Sequence, residues 1–337
     1  MNTRTKVRWG ILSTAKIGTE HVIPALQASG LGEVVAIASR NPGQAKDVAQ
    51  RLGIPRVRDS YADLLADPAV DAVYNPLPNH LHVDWSVRAL EAGKHVLCEK
   101  PIGLTAEDAL TLLAAARRHP ELKAMEAFMY RFHPQWRFVR ETVQAGGIGA
   151  LRAIHAVFSY YNDDPDNIRN VPEWGGGGLM DIGCYPISVA RLLFAAEPRR
   201  VLGTLELDPE FGTDRLCSAL LEFADGGTMA FTCSTRMAPY QRLNALGTAG
   251  RVEVEIPFNA PADRPCRVWT QTTGGIEEWH SEVQNQYTAM GDAFARAILD
   301  DSDVPAPLTD AVANMRVIDA IRRSAETGCW TDVGEGP

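Results

Sequence analysis

Short apolar runs alternate with amphipathic segments along the first third of the chain. Residues 7–12 (VRWGIL) and 33–38 (EVVAIA) have the composition of buried strands, and residues 17–29 between them carry apolar side chains at helical spacing. A strand, a helix and a second strand within about thirty residues have the length of one βαβ unit. The opening of the chain therefore predicts two parallel strands joined by a helix.

The same alternation continues as far as residue 100. The apolar spacing predicts helices at 45–54, 61–67 and 82–93 and strands at 56–60, 70–78 and 95–100. Repeated βα units imply an α/β fold with a doubly wound parallel sheet, and such sheets bind ligands at the carboxyl ends of their strands. We therefore expect residues 1–125 to form one α/β domain with a ligand site at that edge of its sheet.

The pattern changes after residue 125. Candidate strands lie at 151–160, 215–226, 228–236 and 250–257, separated by Gly, Asp and Pro turns, and helical spacing returns at 289–301 and 310–326. We expect residues 126–337 to form a second, α+β domain, with its C-terminal helices packed back on the first domain.

Composition and charge exclude several classes of protein. The 337 residues are 45% hydrophobic, enough for a sizeable core, and 33 basic against 42 acidic residues give a formal net charge of -9. Because the chain has no basic stripe, nucleic acid is not an expected partner. No apolar run reaches the roughly 18 residues of a membrane span, and the first residues lack the apolar core of a signal peptide. We therefore predict a cytoplasmic protein.

The cysteines and histidines do not predict a disulfide or a metal site. The six cysteines are scattered without a C-x-x-C pair, and His80 and His82 lack the i, i+4 spacing of a metal-binding pair on a helix. We expect reduced thiols and no metal.

The turn after the first predicted strand, residues 13–18, stands where a phosphate-binding loop would lie. Against the fingerprint G-x-G-x-x-G, the three glycine positions fall on Ser13, Ala15 and Gly18, so only the last glycine is kept. Serine and alanine are the next smallest side chains, but taken alone the turn fits an ordinary strand–helix connection equally well. The predicted cofactor contacts in this turn are Ser13, Thr14, Ala15, Lys16 and Ile17.

The end of the second strand, IASRN, favours NADP over NAD. An NAD site usually has an acidic residue there, whereas Ser39 and Arg40 provide neutral and cationic donors for a 2′-phosphate. Lys16 adds a second positive charge near the same phosphate. The alternative is that Arg40 is a solvated surface side chain.

Further motifs follow the loop and the SR strand end in one order: YNPLPNHLH (74–82), CEKP (98–101), GGGGLMDIGCY (175–185) and RMAPY (236–240). With them the chain resembles the Gfo/Idh/MocA family over nearly its whole length. The resemblance implies an NAD(P)-binding N-terminal domain and a C-terminal substrate domain whose large, mostly antiparallel open sheet often mediates dimers. Tyr185, where many members have histidine, resembles the branch of glucose-fructose oxidoreductase, bacterial xylose dehydrogenases and dihydrodiol dehydrogenases.

Three side chains carry the predicted chemistry. The resemblance assigns Lys100, from the EKP motif, to the catalytic site. Asp181 and Tyr185, at i and i+4, share one face of a helix. A phenol has an ordinary pKa of about 10, so Tyr185 needs the Lys100 ammonium to act as acid and base near neutral pH, with Asp181 orienting the sugar or the lysine. The alternatives are a solvated lysine and a buried, hydrogen-bonded tyrosine beside a capping aspartate.

Further contacts are predicted for the cofactor and for the substrate. By resemblance, the nicotinamide half of the cofactor borders Asn75, Pro76, Leu77, Asn79, His82, Glu99, Lys100 and Arg131. Substrate contacts are expected at Lys100, Arg169, Trp174, Asp181, Tyr185 and Tyr240, with Arg131 and His133 as further candidates. A polyol binds through several hydrogen bonds and an apolar ring face, and this set supplies both. The alternative is that the arginines cap helices and the aromatic side chains fill cores.

The predicted function is oxidation of the C1 hydroxyl of an aldopyranose such as xylose or glucose to its lactone, with hydride transfer to NADP. One alternative keeps NADP bound and reduces a second sugar, as in aldose–aldose or glucose–fructose oxidoreduction. More distant alternatives are a trans-dihydrodiol dehydrogenase, an anhydro-sugar reductase and a non-catalytic NADP-binding sensor. We also expect a homodimer formed through the C-terminal sheet.

Overall fold

The computed structural model describes residues 5–334 of the chain, which form two compact units. Unit 1 comprises the residues up to Met129 together with Asn285–Val312, and unit 2 comprises Tyr130–Gln284 together with the residues from Ala313 onward. The sequence predicts two domains with a boundary between residues 125 and 126. Compact units are not the same as separately folding domains, so this boundary stays a prediction.

Helices and strands alternate through the first part of the chain, and strands dominate the second. The helices are α1 (Ile23–Ala28), α2 (Pro42–Leu52), α3 (Tyr61–Ala66), α4 (His82–Glu91), α5 (Ala106–Arg118), α6 (Pro134–Gln144), α7 (Cys184–Phe194), α8 (Gln286–Leu299) and α9 (Leu308–Thr327). The strands are β1 (Val7–Leu12), β2 (Gly32–Ala38), β3 (Arg56–Arg58), β4 (Ala72–Asn75), β5 (His95–Cys98), β6 (Ala124–Glu126), β7 (Leu151–Tyr161), β8 (Pro198–Leu207), β9 (Asp214–Phe223), β10 (Thr228–Ser234), β11 (Arg236–Gly247), β12 (Gly250–Val254), β13 (Arg267–Thr272), β14 (Gly275–His280) and β15 (Thr331–Asp332).

Unit 1 contains a parallel sheet of six strands in the order β3-β2-β1-β4-β5-β6. This confirms the predicted doubly wound α/β sheet. From β1 the chain adds β2 and β3 on one side of the sheet and then β4, β5 and β6 on the other side. Ligands of such sheets bind outside the carboxyl ends of the strands at this switch point, between β1 and β4. The loops that follow β1, β2, β4 and β5 are therefore the functional edge of unit 1.

Strand β1 lies at the centre of this sheet. Trp9, Ile11 and Leu12 are fully buried, as expected for a strand covered on both faces. A Cβ added at Gly10 would lie 2.7 Å from a methyl carbon of Leu64, so glycine here lets α3 pack directly on the strand.

Helix α8 completes unit 1 from a distant part of the sequence. The Phe294 ring packs against the Trp9 indole with 5.7 Å between ring centroids, and the Asp292 carboxylate accepts a hydrogen bond from the Ser29 hydroxyl. The helix therefore closes the apolar core around the first strand and the end of α1.

Unit 2 contains a sheet of nine strands in the order β14-β13-β12-β11-β7-β10-β9-β8-β15. Strands β7 and β10 are parallel and the other pairs are antiparallel, which confirms the predicted open, mostly antiparallel sheet. Along β7, buried Ile154, Ala156 and Phe158 alternate with the more exposed His155 and Val157. The buried face packs on α7 and on the helical segment before it.

Two helices begin with a wider turn than the predicted α-helical spacing. Gly18–Val22 and Leu179–Gly183 are π-helical, and each leads into an α-helix with a proline in its first turn, Pro24 in α1 and Pro186 in α7. Proline has no N–H to donate to the carbonyl four residues earlier, so the α-helical bonding pattern is interrupted at that point. The helical spacing of the sequence did not predict either π-turn.

Among residues 5–334, no helix has the length and apolar character needed to cross a bilayer. The same residues contain no group of three or more His, Cys, Asp or Glu side chains arranged to hold a metal ion. The cysteines are free thiols, and Cys329 is the exposed member of the six.

Candidate functional site

The turn after β1 adopts the backbone conformation of a phosphate-binding loop without its glycines. Ser13 has a φ of +89°, a region that glycine occupies freely and other residues seldom adopt. Two hydrogen bonds hold it there: the Ser13 N–H donates to the carbonyl of Ala38 (2.7 Å), and the Ser13 hydroxyl accepts from the Ala15 N–H (3.2 Å). The first glycine position of the fingerprint is therefore conformationally preserved in Ser13.

The helical segment that contains Gly18 follows this turn directly. The helix already includes Lys16 and Ile17, its first bond runs from the Thr19 N–H to the Ala15 carbonyl (3.0 Å), and Lys16 is exposed. A helix start presents backbone N–H groups and the positive end of the helix dipole, both of which favour an anion. Ser13, Thr14, Ala15, Lys16 and Ile17 thus form a cradle that suits a diphosphate.

The end of β2 places Ser39 and Arg40 in different environments. Ser39 is buried, and its hydroxyl accepts a hydrogen bond from the Asn41 N–H (3.2 Å). Arg40 is exposed and lies beside Tyr61, where its charge opposes the rise in the pKa of Tyr61 that burial causes. Of the two predicted contacts, Ser39 is therefore buried, whereas Arg40 is exposed at the edge of the sheet.

Asn75 and His82 organise the loops that follow β4 and β5. The buried Asn75 amide donates to the His82 carbonyl and to the Ser86 hydroxyl, both at 3.1 Å. The His82 ring nitrogens contact the carbonyl oxygens of Leu77 (2.6 Å) and Pro101 (2.8 Å). These two predicted cofactor residues are thus bonded to backbone and side-chain groups of their own loops, and they position the neighbouring segments.

The His82 ring links the Leu77 loop to the Lys100–Pro101 segment, whose peptide bond is cis. Burial, assisted by the nearby Lys100 charge, lowers the pKa of His82 to about 4 against the opposing effect of the two carbonyl contacts. A neutral ring has one N–H and can donate to only one of the two carbonyls, so these two close contacts oppose the loss of its charge.

Glu99 is anchored in the core at the end of β5. It accepts a hydrogen bond from the Tyr74 hydroxyl (2.7 Å) and a longer one from the Lys100 N–H (3.3 Å). Burial and the Glu99 charge together hold the pKa of Tyr74 well above its usual range, so this phenol stays a donor. The remaining predicted residues of this edge, Pro76, Leu77, Asn79 and Lys100, lie in the same two loops.

The glycine segment 175–178 of unit 2 brings two chain segments into close contact. The Gly177 N–H donates to the Arg169 carbonyl (2.9 Å), and a Cβ at Gly176 would lie 2.5 Å from that same oxygen. Gly177 has a φ of +108°, and a Cβ there would lie 2.0 Å from the Asp214 carboxylate. Glycine is therefore required at both positions by backbone packing.

Asp214 holds the start of the helical segment that follows. Its carboxylate accepts a hydrogen bond from the Leu179 N–H (2.6 Å) and is bonded to the Gly178 N–H. Burial raises the pKa of Asp214 to about 6, although these N–H groups oppose the rise. Asp214 was not identified from the sequence, because its partners lie about 35 residues away and no motif links them.

Asp181 and Arg169, two predicted substrate residues, form an ion pair. The Asp181 Oδ2 atom lies 2.8 Å from the Arg169 Nε and accepts a second hydrogen bond from the Tyr160 hydroxyl at 2.6 Å. Burial and the Asp181 charge raise the pKa of Tyr160 far above its usual value, and the same charge raises the pKa of Arg169. Both partners therefore remain hydrogen-bond donors to the carboxylate.

Tyr185 lies one turn after Asp181 and is 4% exposed. Its ring contacts those of Phe158, Phe258 and Tyr130 at centroid distances of 5.7, 5.2 and 5.8 Å. These apolar faces shield the phenol from bulk water, so a nearby charge would act on it strongly.

Arg131 is tied to the same helix one turn further on. The Ser188 hydroxyl oxygen lies 2.6 Å from Arg131 Nη2 and accepts from the Tyr130 hydroxyl at 2.8 Å. His133, a further candidate substrate contact, is fully buried and caps α6 through the Gln135 N–H. Burial lowers the pKa of His133 to about 4.

Trp174 and Tyr240 border the cluster from different segments. Trp174 is half-buried in a short 3-10 turn, Pro172–Trp174, between Arg169 and the glycine segment. Tyr240 is 51% exposed on β11, and with Tyr160 it lines a depression of about 500 Å³. Tyr240 pairs with Ser159 across the two strands and, with Val157 and Arg242, also lines a second depression of the sheet.

The chain matches two family models. Residues 7–127 match the model described as oxidoreductase family, NAD-binding Rossmann fold. Residues 136–253 match the model described as GFO/IDH/MocA C-terminal domain. The two matches together cover most of the chain.

Similar proteins are known in sequence and in structure. The chain is 40% identical to a D-xylose 1-dehydrogenase (NADP(+)) of Haloferax volcanii over 326 residues, covering 96% of this chain and 99% of that protein. A 3-ketoreductase from Actinomadura kijaniata, solved with NADP and TDP-benzene, is similar at a TM-score of 0.90 and 34% identity, covering 95% of this chain and 98% of that one. The aldose-aldose oxidoreductase from Caulobacter crescentus, complexed with glycerol, is similar at a TM-score of 0.91 and 27% identity, covering 97% and 99%.

The Asp214 contact makes stability depend on pH. Its carboxyl group has a pKa of about 6 in the folded protein and near 3.9 in an unfolded chain, so its contribution favours folding below pH 4 and is lost as the pH rises through 6. Asp214→Asn does not ionise. The free energy of unfolding of this variant, relative to that of the wild type, should therefore rise by about 2 kcal/mol between pH 4 and 7.

Urea denaturation at a series of pH values measures this difference. Asp225→Asn, at an exposed aspartate in the same unit, is the matched control and should follow the wild-type pH dependence. Parallel curves for Asp214→Asn and the wild type would contradict the prediction.

Proposed function

Because the chain belongs to the GFO/IDH/MocA oxidoreductase family, we propose that it oxidises the C1 hydroxyl of an aldopyranose such as xylose or glucose to the lactone, with NADP as cofactor. The observation that carries the proposal is the helical turn on which Tyr185, shielded by aromatic rings, follows an Asp181 fixed by Arg169 and Tyr160. The similarity to an NADP-dependent D-xylose 1-dehydrogenase over nearly the whole chain supports the choice of substrate class.

The loops at the edge of the unit 1 sheet would hold the cofactor. The helix start and the turn Ser13–Ile17 suit its pyrophosphate, and the exposed Arg40 suits the 2′-phosphate. NADP, when bound, supplies the acceptor for the hydride that leaves C1 of the sugar. For the nicotinamide half we propose the remaining predicted residues: Asn75, Pro76, Leu77, Asn79, His82, Glu99, Lys100 and Arg131. Of these, Asn75 and His82 act by holding the loops in which they lie.

The proton chemistry is assigned to three side chains. The Tyr185 phenolate takes the proton of the C1 hydroxyl, and the Lys100 ammonium stabilises that phenolate and bonds to the reacting oxygen. Asp181 orients the sugar through its hydroxyl groups. Arg169, Trp174 and Tyr240 are proposed as further substrate contacts.

A second candidate function keeps NADP bound and passes the hydride to another sugar. The observation that favours it is the similarity to an aldose-aldose oxidoreductase, at a TM-score of 0.91 over 97% of the chain. The same three catalytic side chains serve both reactions, since the second half-reaction is the reverse of the first. The two functions differ in whether reduced cofactor leaves the protein.

Turnover of an aldose panel tests the catalytic assignment. With NADP in excess, accumulation of free NADPH at 340 nm is expected for a dehydrogenase, whereas cofactor that is reduced but retained indicates the two-sugar reaction. Tyr185→Phe should lower kcat on the order of 10³-fold, because the proton acceptor is lost, and leave NADPH affinity unchanged. Tyr161→Phe, at a 60% exposed tyrosine, is the control and should keep wild-type turnover.

Substantial activity in Tyr185→Phe would remove the acid–base role of Tyr185. No cofactor reduction with any sugar or cyclic diol would instead favour a non-catalytic NADP-binding protein.

Cofactor preference tests the role of Arg40. Arg40→Ala removes a charged donor to the 2′-phosphate, and such a bond is worth roughly 10- to 100-fold in affinity. We expect the ratio of kcat/KM with NADP to that with NAD to fall by about that factor. Arg51→Ala, at an exposed arginine on α2, should leave the ratio unchanged. An unaltered ratio in Arg40→Ala would place recognition of the 2′-phosphate elsewhere.

We further propose that the outward face of the unit 2 sheet pairs with a second copy of the chain. Val157, Leu220 and Ala230 are half-buried on this face, and with neighbouring hydroxyl side chains they line a shallow depression of about 540 Å³. His155, Arg242 and Asn244 also line it, and the same surface on two copies of the chain can pair across a twofold axis.

Light scattering should give about twice the chain mass for the wild type. Ala230→Arg places a charge in the depression and should give a monomer, whereas Thr273→Arg, in an exposed turn, should remain dimeric. A monomeric wild-type protein would refute this assembly.

A further inference from the structure

The Asp181 carboxylate receives two donors on one oxygen. The Tyr160 hydroxyl lies 2.6 Å and the Arg169 Nε 2.8 Å from Oδ2, and the donors come from different segments, strand β7 and the short turn Ile168–Asn170. Only a narrow range of rotation about the Cβ–Cγ bond of Asp181 keeps Oδ2 on both donors. We propose that Tyr160 is a positioning residue that, together with Arg169, fixes the orientation of Asp181 toward the sugar. The inference rests on the role proposed for Asp181 in sugar oxidation.

Strand β7 contacts both functional groups of the helical turn. Tyr160 and Phe158 point to the same face of the strand, and Phe158 packs on the Tyr185 ring at a centroid distance of 5.7 Å. One strand therefore sets the position of the carboxylate and of the phenol at the same time.

The two donors to Asp181 come from different kinds of segment: Tyr160 extends from a sheet strand and Arg169 from a short 3-10 turn. The Asp181 side chain is 12% exposed, whereas that of Arg169 is 40% exposed and partly screened by water. Tyr160 sits in a sheet strand and has few rotatable bonds. A hydrogen bond to a carboxylate in such a shielded place is about twice as strong as one between neutral groups.

Tyr160 is also unsuited to carry the proton itself. Burial and the Asp181 charge raise the pKa of Tyr160, so the phenol keeps its proton throughout the physiological range. Its contribution is then that of a permanent donor, and the proton acceptor remains Tyr185.

A double-mutant cycle tests whether Tyr160 acts through Asp181. The variants are Tyr160→Phe, Asp181→Asn and their combination, with Tyr161→Phe as the control, since the neighbouring Tyr161 is 60% exposed and bonds only weakly to Asp163 (3.4 Å). We expect Tyr160→Phe to lower kcat/KM for the sugar about 10- to 100-fold and to leave NADPH affinity unchanged. The combined variant should be no slower than Asp181→Asn alone, because both changes remove the same oriented carboxylate.

Crystal structures give a readout that does not need turnover. In Tyr160→Phe, the Asp181 carboxylate should rotate away from its wild-type orientation or occupy more than one. Wild-type kcat/KM in Tyr160→Phe, multiplied losses in the combined variant, or an unchanged carboxylate would each overturn the proposal.

The failure of this proposal is distinct from failure of the proposed function. If Tyr185→Phe is inactive while Tyr160→Phe has wild-type kinetics, the positioning role of Tyr160 falls and the oxidoreductase remains. If Asp181→Asn keeps wild-type kcat/KM, the role of Asp181 on which the inference rests falls first. Should Tyr160→Phe fail to fold, Arg169→Leu removes the other donor, and the Asp181 carboxylate in its crystal structure is the readout: a changed orientation supports the shared-oxygen geometry, and an unchanged carboxylate refutes it.

Discussion

The contact between the Asp214 carboxylate and the backbone at Gly177–Leu179 determines where the helix that carries Asp181 and Tyr185 begins. It requires glycine, since a Cβ at Gly177 would lie 2.0 Å from the carboxylate. The carboxylate satisfies N–H groups that a helix start leaves without partners inside the helix. Asp181 and Tyr185 follow on the π-turn and the first turn of α7. Their positions relative to strand β7 are therefore consequences of one buried anchor.

The two units use a similar helix start for different purposes. In each, a π-turn leads into an α-helix with a proline in its first turn. In unit 1, the residues that precede the helix are Ser13, Thr14 and Ala15, none of them acidic, which leaves the partial positive charge of the helix start available to an anion. In unit 2, the Asp214 carboxylate occupies the equivalent N–H groups, and a second negative charge would be repelled there. The first arrangement suits a phosphate-bearing cofactor, and the second suits a neutral sugar.

Local patterns could be predicted from the sequence, and long-range partners could not. The parallel strands of unit 1 and strand β7 follow from apolar spacing, and the i, i+4 pair of Asp181 and Tyr185 is a local feature. Strand β14 was missed because it is a largely exposed edge strand without apolar alternation. Tyr160 was missed because it binds Asp181 across 21 residues, from a strand whose tyrosines look alike in sequence. The positive φ of Ser13 likewise depends on its bond to Ala38, a contact that no local spacing reveals.

The assignment of one reaction centre to Lys100, Asp181 and Tyr185 has a direct structural test. A crystal structure of the protein with NADP and a sugar or its lactone locates the reacting oxygen. Lys100 Nζ and Tyr185 Oη should both lie within about 3 Å of that oxygen. If the ammonium and the phenol instead face different cavities, with the sugar oxygen bonded to neither, the proposed catalyst does not exist.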